Sequence, residues 1–188
     1  MKKCLLRSLI VVMLFSLCGC QPNTVKPENH NTENSIDGFI EPELSDWVKY
    51  EHLVTKYMYY RTQAVIHNDI NILWNQYPDL RNDYDFKKGI NVEKDEVESF
   101  NKRFKVVDAN FSIEGHNRMR VKTINDKETI LLVNGGIGYL SSNFDKAGGE
   151  LLMEISLKLE NNHWTIVKTD EYNELEYKEW VKKRLKGS

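Results

Sequence analysis

The spacing of apolar residues changes near Phe104, in the middle of this chain, and this change limits the fold more than any other feature. Before Phe104 the apolar residues recur every three or four positions, which is the period of an amphipathic helix. After Phe104 they alternate with polar residues, which is the period of a strand with one buried face. Helices followed by strands predict an α+β domain in which N-terminal helices pack against an antiparallel sheet.

Three helices are predicted in the first half. Ser45 or Asp46 can cap the first, of about six turns, which Asn68 ends. A short second helix ends at Pro78, which cannot donate a hydrogen bond to the preceding turn. Asn91 can cap a third. The apolar face of the first helix comprises Trp47, Tyr50, Val54, Tyr57, Met58, Arg61, Ala64 and Val65.

Four to six antiparallel strands are predicted after Phe104. Three glycines, from Gly135 to Gly138, are expected to interrupt the sheet with a turn or bulge. Asn161 and Asn162 both tolerate positive φ, and we expect them to form a tight hairpin turn. A C-terminal helix is predicted from Asn173 to Lys186, with acids toward its start and bases toward its end, as the helix dipole favours.

The first twenty residues have the order of a secretory signal. A basic start is followed by an apolar run, Leu9 to Leu17, that is shorter than the ~20 residues needed to span a bilayer. The run ends in Leu17, Cys18, Gly19 and Cys20, which resembles the bacterial lipobox, although Cys18 is less usual at its position. The resemblance implies cleavage before Cys20 and diacylglycerol on that cysteine. The alternatives are a secreted protein cut elsewhere and an uncleaved anchor.

Cysteine positions agree with this interpretation. All three cysteines, Cys4, Cys18 and Cys20, lie in the first twenty residues, so the mature chain would keep only Cys20 and could form no internal disulfide. We therefore expect a signal peptide over 1–19, a lipidated flexible tether over 20–43 and a single domain over 44–188. The expected location is the extracytoplasmic face of the cell membrane, with the lipid on Cys20 as anchor.

Charge excludes one class of partner. The precursor has 26 Lys and Arg against 28 Asp and Glu, and loss of Lys2, Lys3 and Arg7 leaves the mature chain at a formal charge of −5. Proteins that bind nucleic acid usually show clustered positive charge, so we expect no nucleic-acid partner. The remaining candidates are the membrane, a small ligand, a cell-wall component and another envelope protein.

The order of elements resembles the nuclear transport factor 2-like, or ketosteroid isomerase-like, superfamily over about residues 44 to 172. The resemblance implies a cone in which a curved sheet wraps around the helices, enclosing either a pocket or a filled core. It rests on a short second helix with a following proline and on the closing hairpin, represented by Asn68, Asp69, Ile70, Leu73, Trp74, Tyr77, Pro78, Leu157, Asn161, Asn162, Trp164 and Ile166.

Candidate site residues follow from the same pattern. Arg61 lies on the apolar helical face, where a guanidinium must reach water, an acid or an anionic ligand; a structural ion pair is the interpretation we favour. With Tyr57, Trp74 and Tyr139 it forms the candidate ligand-binding set. The isomerase members use an Asp base with a Tyr and a protonated acid, for which the possible counterparts are Tyr57, Tyr60, Asp108 and Glu114.

No catalytic residues, metal site or cofactor are predicted. A partial calcium pattern begins at Asn143, but Ala147 supplies no ligand at its fifth place. We expect a non-enzymatic binding or interaction domain on a membrane-anchored lipoprotein. The alternative is a small isomerase or hydrolase with a pocket between helices and sheet.

Overall fold

The computed structural model describes residues 38–85, 89–103 and 105–173, together with residues 175, 176, 178, 179 and 182. The predicted signal peptide and most of the predicted tether lie outside these residues. No helix in the described part of the chain is long and apolar enough to cross a membrane.

Three α-helices precede the sheet, as the apolar spacing predicted. They are α1 (Leu44–His67), α2 (Asn71–Trp74) and α3 (Val92–Arg103), and a 3-10 turn, Pro78–Asn82, connects α2 to α3. The buried residues of α1 include Tyr50, Val54 and Tyr57 at the predicted spacing. That stripe packs against one face of the sheet and forms the main core.

The ends of the helices agree with the sequence in two places and differ in two. Asn68 ends α1 in the left-handed conformation, and the Asn91 side chain accepts the Lys94 amide at 2.9 Å to cap α3. The predicted cap of α1 was wrong. The helix begins one residue before Ser45, and its N-cap residue, Glu43, makes no side-chain capping hydrogen bond. The predicted end of the second helix at Pro78 was also wrong, because α2 ends at Trp74 and Pro78 is instead the first residue of the 3-10 turn, where its missing N–H is not needed.

Five antiparallel strands form one sheet: β1 (Val106–Ser112), β2 (Met119–Asn125), β3 (Glu128–Ser141), β4 (Lys146–Glu160) and β5 (His163–Tyr172). The order is β1-β3-β4-β5, and β2 pairs with the first half of β3. Register shifts in three of the four pairings mark bulges, which bend strands. The result is the predicted cone-like α+β fold, with helices inside a curved antiparallel sheet.

The closing hairpin has the predicted turn. β4 and β5 are joined by Asn161 and Asn162 alone, at φ 48° and 66°. At the C-terminus, Asn173 and Glu176 each accept the other's amide at 3.0 Å, a reciprocal capping box that begins the predicted last helix. Most of that helix lies outside the described residues.

The predicted interruption of the sheet by glycines was wrong, because β3 runs unbroken through Gly135, Gly136 and Gly138. The glycines are instead needed for close packing between strands. A Cβ on Gly135 would lie 2.6 Å from Cε2 of Phe111, and one on Gly138 would lie 2.5 Å from Oδ1 of Asn110. Side chains from β1 therefore occupy the space above these residues.

A second apolar cluster lies on the outer face of the sheet. Phe39 is fully buried there against Leu132 and Leu152. The adjacent Ile40 exchanges backbone hydrogen bonds of 2.9 and 2.8 Å with Val121 of β2. Residues assigned to the tether by sequence thus contact the sheet.

Candidate functional site

The most unusual feature of the interior is a buried arginine held by two carboxylates. Arg61 projects from α1 and is 2% exposed. Its Nε donates to Oε2 of Glu96 on α3 at 2.6 Å, and its Nη1 is paired with Glu171 of β5. Nη1 also lies 3.4 Å from the hydroxyl of Tyr57, one helical turn earlier. The ion pair predicted for Arg61 is present.

A third buried carboxylate, that of Glu93, lies beside the Arg61 ion pairs. Glu93, also 2% exposed, accepts hydrogen bonds from the Tyr57 hydroxyl at 3.0 Å and from the Thr169 hydroxyl of β5. Tyr139 of β3 donates to Oε1 of Glu96 at 2.8 Å. The resulting buried polar cluster consists of Tyr57, Arg61, Glu93, Glu96, Tyr139, Thr169 and Glu171.

Local structure explains how these groups meet. Glu93 and Glu96 are three residues apart on α3, so they share the helix face that packs against α1 and the sheet. Thr169 and Glu171 are two apart on β5 and therefore project from the same sheet face. The Thr169 amide also donates to Oδ2 of Asp83 at 2.7 Å, which ties β5 to the loop before α3.

Burial and shared charge control ionisation in the cluster. Burial raises the pKa of Glu96, and repulsion from Glu171 adds to this; the nearby Arg61 guanidinium opposes both. The net direction is upward because burial, the largest contribution, outweighs the attraction of a guanidinium that Glu96 shares with Glu171. For Tyr139, burial and the negative charge of Glu96 raise the hydroxyl pKa, so the phenol stays protonated as a donor.

Arg61 remains charged despite its environment. Burial alone would lower the pKa of the guanidinium, but Glu171 and Glu96 outweigh that effect and the net shift is upward. Burial likewise raises the pKa of Tyr57 well above its ordinary range, and Glu93 reinforces the shift. The cluster is thus an ionic centre in which both tyrosines act as neutral donors.

Three of the four candidate residues, Tyr57, Arg61 and Tyr139, come together in this cluster. The fourth, Trp74, is on α2 and packs against the core with the Arg81 guanidinium 5.4 Å above its ring. Its indole nitrogen is buried and makes no hydrogen bond with any described residue. Trp74 takes no part in the hydrogen bonds of the cluster.

Sequence reasoning missed the acidic half of the cluster. Glu93 occupies a position on the buried face of α3, one turn before Val97, where an apolar residue would be expected. An acid at such a position was the available signal. For Thr169 and Glu171 there was no such signal in the sequence. Strict alternation along β5 puts them on the face opposite Ile166, and only the irregularity at Val167, where the register shifts, brings Thr169 to a buried position.

The other residues considered as isomerase counterparts lie elsewhere. Asp108 is exposed on β1, where its carboxylate accepts the Ala109 amide at 2.9 Å. Glu114 lines a small surface depression with Arg118 and Glu150. Tyr60 packs edge-on against Tyr77, with ring centroids 6.4 Å apart.

Two larger concavities occur in the described part of the chain. One, of about 260 Å³, lies over β1, β3 and the start of β4, and Tyr139 is the cluster member among its lining residues. The other, of about 270 Å³, lies over β3, β4 and β5 near Ile130 and Lys158. Neither is lined by Arg61 or by the cluster's carboxylates.

Metal binding has no support in the described residues, among which no group of three or more His, Cys, Asp or Glu side chains could hold an ion. The residues of the partial calcium pattern lie along the β3–β4 turn and β4.

No protein-family model matches the sequence, and no curated protein is similar to it. Among solved structures, the association domain of C. elegans CaMKII has 8% identity and a TM-score of 0.43, with 69% of this chain and 99% of that chain covered. A cystatin-like domain of unknown function from Nostoc punctiforme has 11% identity and a TM-score of 0.43, with 76% and 86% covered. A SnoaL-like polyketide cyclase from Shewanella denitrificans has 12% identity and a TM-score of 0.34, with 71% and 96% covered. These weak similarities define neither a family nor an activity.

Proposed function

We propose that this chain is a bacterial lipoprotein that is cleaved before Cys20 and held by lipid on the extracytoplasmic face of the cell membrane. The support is the order of basic start, short apolar run and lipobox-like cut site, with Cys20 as the one cysteine left after cleavage. Two or three acyl chains give stable anchoring where a single chain is marginal. The domain outside the membrane belongs, in this proposal, to the nuclear transport factor 2-like fold.

The domain acts by binding, without catalysis. The observation that carries this part of the proposal is that the members of the buried polar cluster satisfy one another. Arg61 pairs with two carboxylates, and the Tyr57 and Tyr139 hydroxyls donate to Glu93 and Glu96. A general acid or base must lie within hydrogen-bond reach of a substrate proton. In the cluster, the hydrogen-bonding positions around each carboxylate and hydroxyl are occupied by other protein groups, so the cluster functions as a polar core.

One observation favours the alternative of a small isomerase or hydrolase. Glu96 is a desolvated carboxyl with a raised pKa opposite the Tyr139 hydroxyl, and perturbed carboxyls of this kind concentrate at active sites. Tyr139 also lines the concavity of about 260 Å³. A ligand that displaced Tyr139 from Glu96 would make this pair a reactive site.

Anchoring is tested by fractionation of cells that express the wild type or Cys20→Ser. We expect fatty-acid labelling and membrane recovery for the wild type, and loss of the label for the variant. Cys18→Ser is the matched control, because it changes the neighbouring cysteine and should keep the label. Continued labelling of Cys20→Ser would refute the assignment of the lipid to Cys20.

Binding and catalysis are separated by a search for molecules that co-purify with the protein, followed by Glu96→Gln and Tyr139→Phe. A bound molecule that is lost in both variants, and is chemically changed by the wild type alone, would support the enzyme. Unchanged surface binding in both variants supports the binding domain.

A further inference from the structure

The turn between β3 and β4 presents an aromatic ring to solvent. Phe144 is 81% exposed, the highest value of any large apolar side chain in the described residues. Its φ is +66°, in the left-handed region that bulky side chains seldom adopt. Neither burial nor backbone preference explains a phenylalanine at this position.

The turn holds this conformation through Ser141. The Phe144 amide donates to the Ser141 carbonyl at 3.0 Å, and the Ser141 hydroxyl accepts the amides of Asn143 and Asp145 at 3.3 and 3.1 Å. Glycine or asparagine would meet the backbone requirement at lower cost. A costly residue that is fixed in place and unpacked points to a role outside folding.

Bases outnumber acids in the two chain segments that meet at this turn. The Ser142 amide donates to the Lys105 carbonyl at 2.9 Å, so the junction between α3 and β1 lies against the turn. Val107, on the same junction, is 46% exposed. The ranges 102–108 and 141–146 contain two acids, Asp108 and Asp145, against four bases: Lys102, Arg103, Lys105 and Lys146. None of these bases forms an ion pair with any residue that the structure describes.

We propose that this region, the β3–β4 tip, docks on the surface of an anionic phospholipid bilayer. Phe144 and Val107 enter the interfacial layer, and the four bases contact lipid phosphates, the combination by which peripheral proteins bind membranes. The local excess of positive charge is notable because the mature chain carries −5 overall. The inference rests on the proposed lipid anchor, which keeps the domain beside a bilayer.

The chain between anchor and domain is long enough for this contact. The described chain enters the sheet at Ile40, which pairs with Val121 of β2, and Val121 lies opposite Leu131 of β3. Leu131 is ten residues from the end of β3 at Ser141. The distance along β3 from Leu131 to the tip is therefore roughly 33 Å at about 3.3 Å per residue. The segment from Cys20 to Gly38 can extend to about 60 Å. The tip can therefore reach the same bilayer that holds the lipid.

The test uses the full-length lipidated protein in vesicles and a single environment-sensitive fluorophore. Asn143→Cys places the probe on the tip, and Asp126→Cys places the control probe on the β2–β3 turn, near the opposite end of β3. The mature chain has no other cysteine than Cys20, so only the introduced thiol reacts when Cys20 carries lipid. Vesicles contain phosphatidylcholine alone or phosphatidylcholine with phosphatidylglycerol, and a quencher is attached to the lipid near the headgroup.

We expect strong quenching at position 143 in the anionic vesicles and little at position 126. Phe144→Ser should reduce the quenching at 143. Lys102→Ser with Lys105→Ser should lower the ratio of docked to free tips by about fivefold per charge removed. Salt at about 1 M, where the Debye length is about 3 Å, should have a similar effect.

Equal quenching at the two positions in vesicle-bound protein, or quenching at 143 that both substitutions leave unchanged, would overturn the docking proposal. Flotation of the vesicles separates this result from failure of the anchor. Protein that does not float with vesicles refutes the lipid anchor, and the docking proposal falls with it. Protein that floats without quenching at 143 refutes docking alone.

Discussion

Replacement of Arg61 by methionine should destabilise the domain strongly. Methionine keeps the length of the side chain and its apolar packing on α1, but it leaves Glu96 and Glu171 without their shared cation. The side chains of these two glutamates are only 13% and 24% exposed, so water can compensate little. Removal of one partner from a buried ion pair typically costs about 3–5 kcal/mol.

Such a loss is a large part of the domain's free energy of unfolding. Domains of this size unfold with a free energy of about 5–15 kcal/mol. Each kcal/mol lowers the Tm of a domain near 150 residues by roughly 2–4 °C, so Arg61→Met should lower it by at least ~6 °C. Urea denaturation followed by circular dichroism measures the free energy directly, and thermal melts give the Tm.

Lys49→Met is the matched control. Lys49 is on the same helix and pairs with Asp46 at 2.9 Å, but both side chains are well exposed to solvent, where such pairs contribute about 0–1 kcal/mol. The combination of Arg61→Met with Glu96→Gln and Glu171→Gln should recover part of the loss, because no unpaired charge remains. If Arg61→Met is as stable as Lys49→Met, the cluster is not a polar core.

Three further predictions concern pH, the exposed turn and the packing of the sheet. Folding raises the pKa of Glu96, so near that pKa the folded state binds more protons than the unfolded state. The free energy of unfolding should therefore decline as pH rises above the ordinary carboxyl pKa of about 4. Glu96→Gln should flatten that slope, as measured by urea titrations at several pH values. Phe144→Asn should stabilise the domain by about 1 kcal/mol, since Asn tolerates positive φ, and a lower Tm would contradict this. Gly135→Ala should cost about 1–3 kcal/mol through overpacking against Phe111, and Phe111→Leu in the same chain should relieve it if the clash is the cause.

The elements of this fold could be predicted because their signals are local. The spacing of Tyr50, Val54 and Tyr57 specifies the buried face of one helix without reference to any other element. Asn161 and Asn162 specify a turn through their own backbone preferences. These features need no knowledge of what packs against them.

For the buried polar cluster, the sequence predicted that Arg61 needs a partner but not which acids would be its partners. Periodicity placed Arg61 on a buried face and so required a partner, but Glu96 and Glu171 are 35 and 110 residues away in sequence. Which acid meets the guanidinium depends on how α3 and β5 pack around α1. The glycines of β3 were misinterpreted for a related reason, because the crowding at Gly135 comes from Phe111 on a strand whose register the sequence does not reveal.

The anchor proposed for this domain can be measured most directly by the mass of the N-terminal peptide of the protein extracted from membranes. The account predicts a peptide that begins at Cys20 and carries the mass of diacylglycerol on its thiol. A peptide that retains any of residues 1–19, or one in which Cys20 is unmodified, would contradict it.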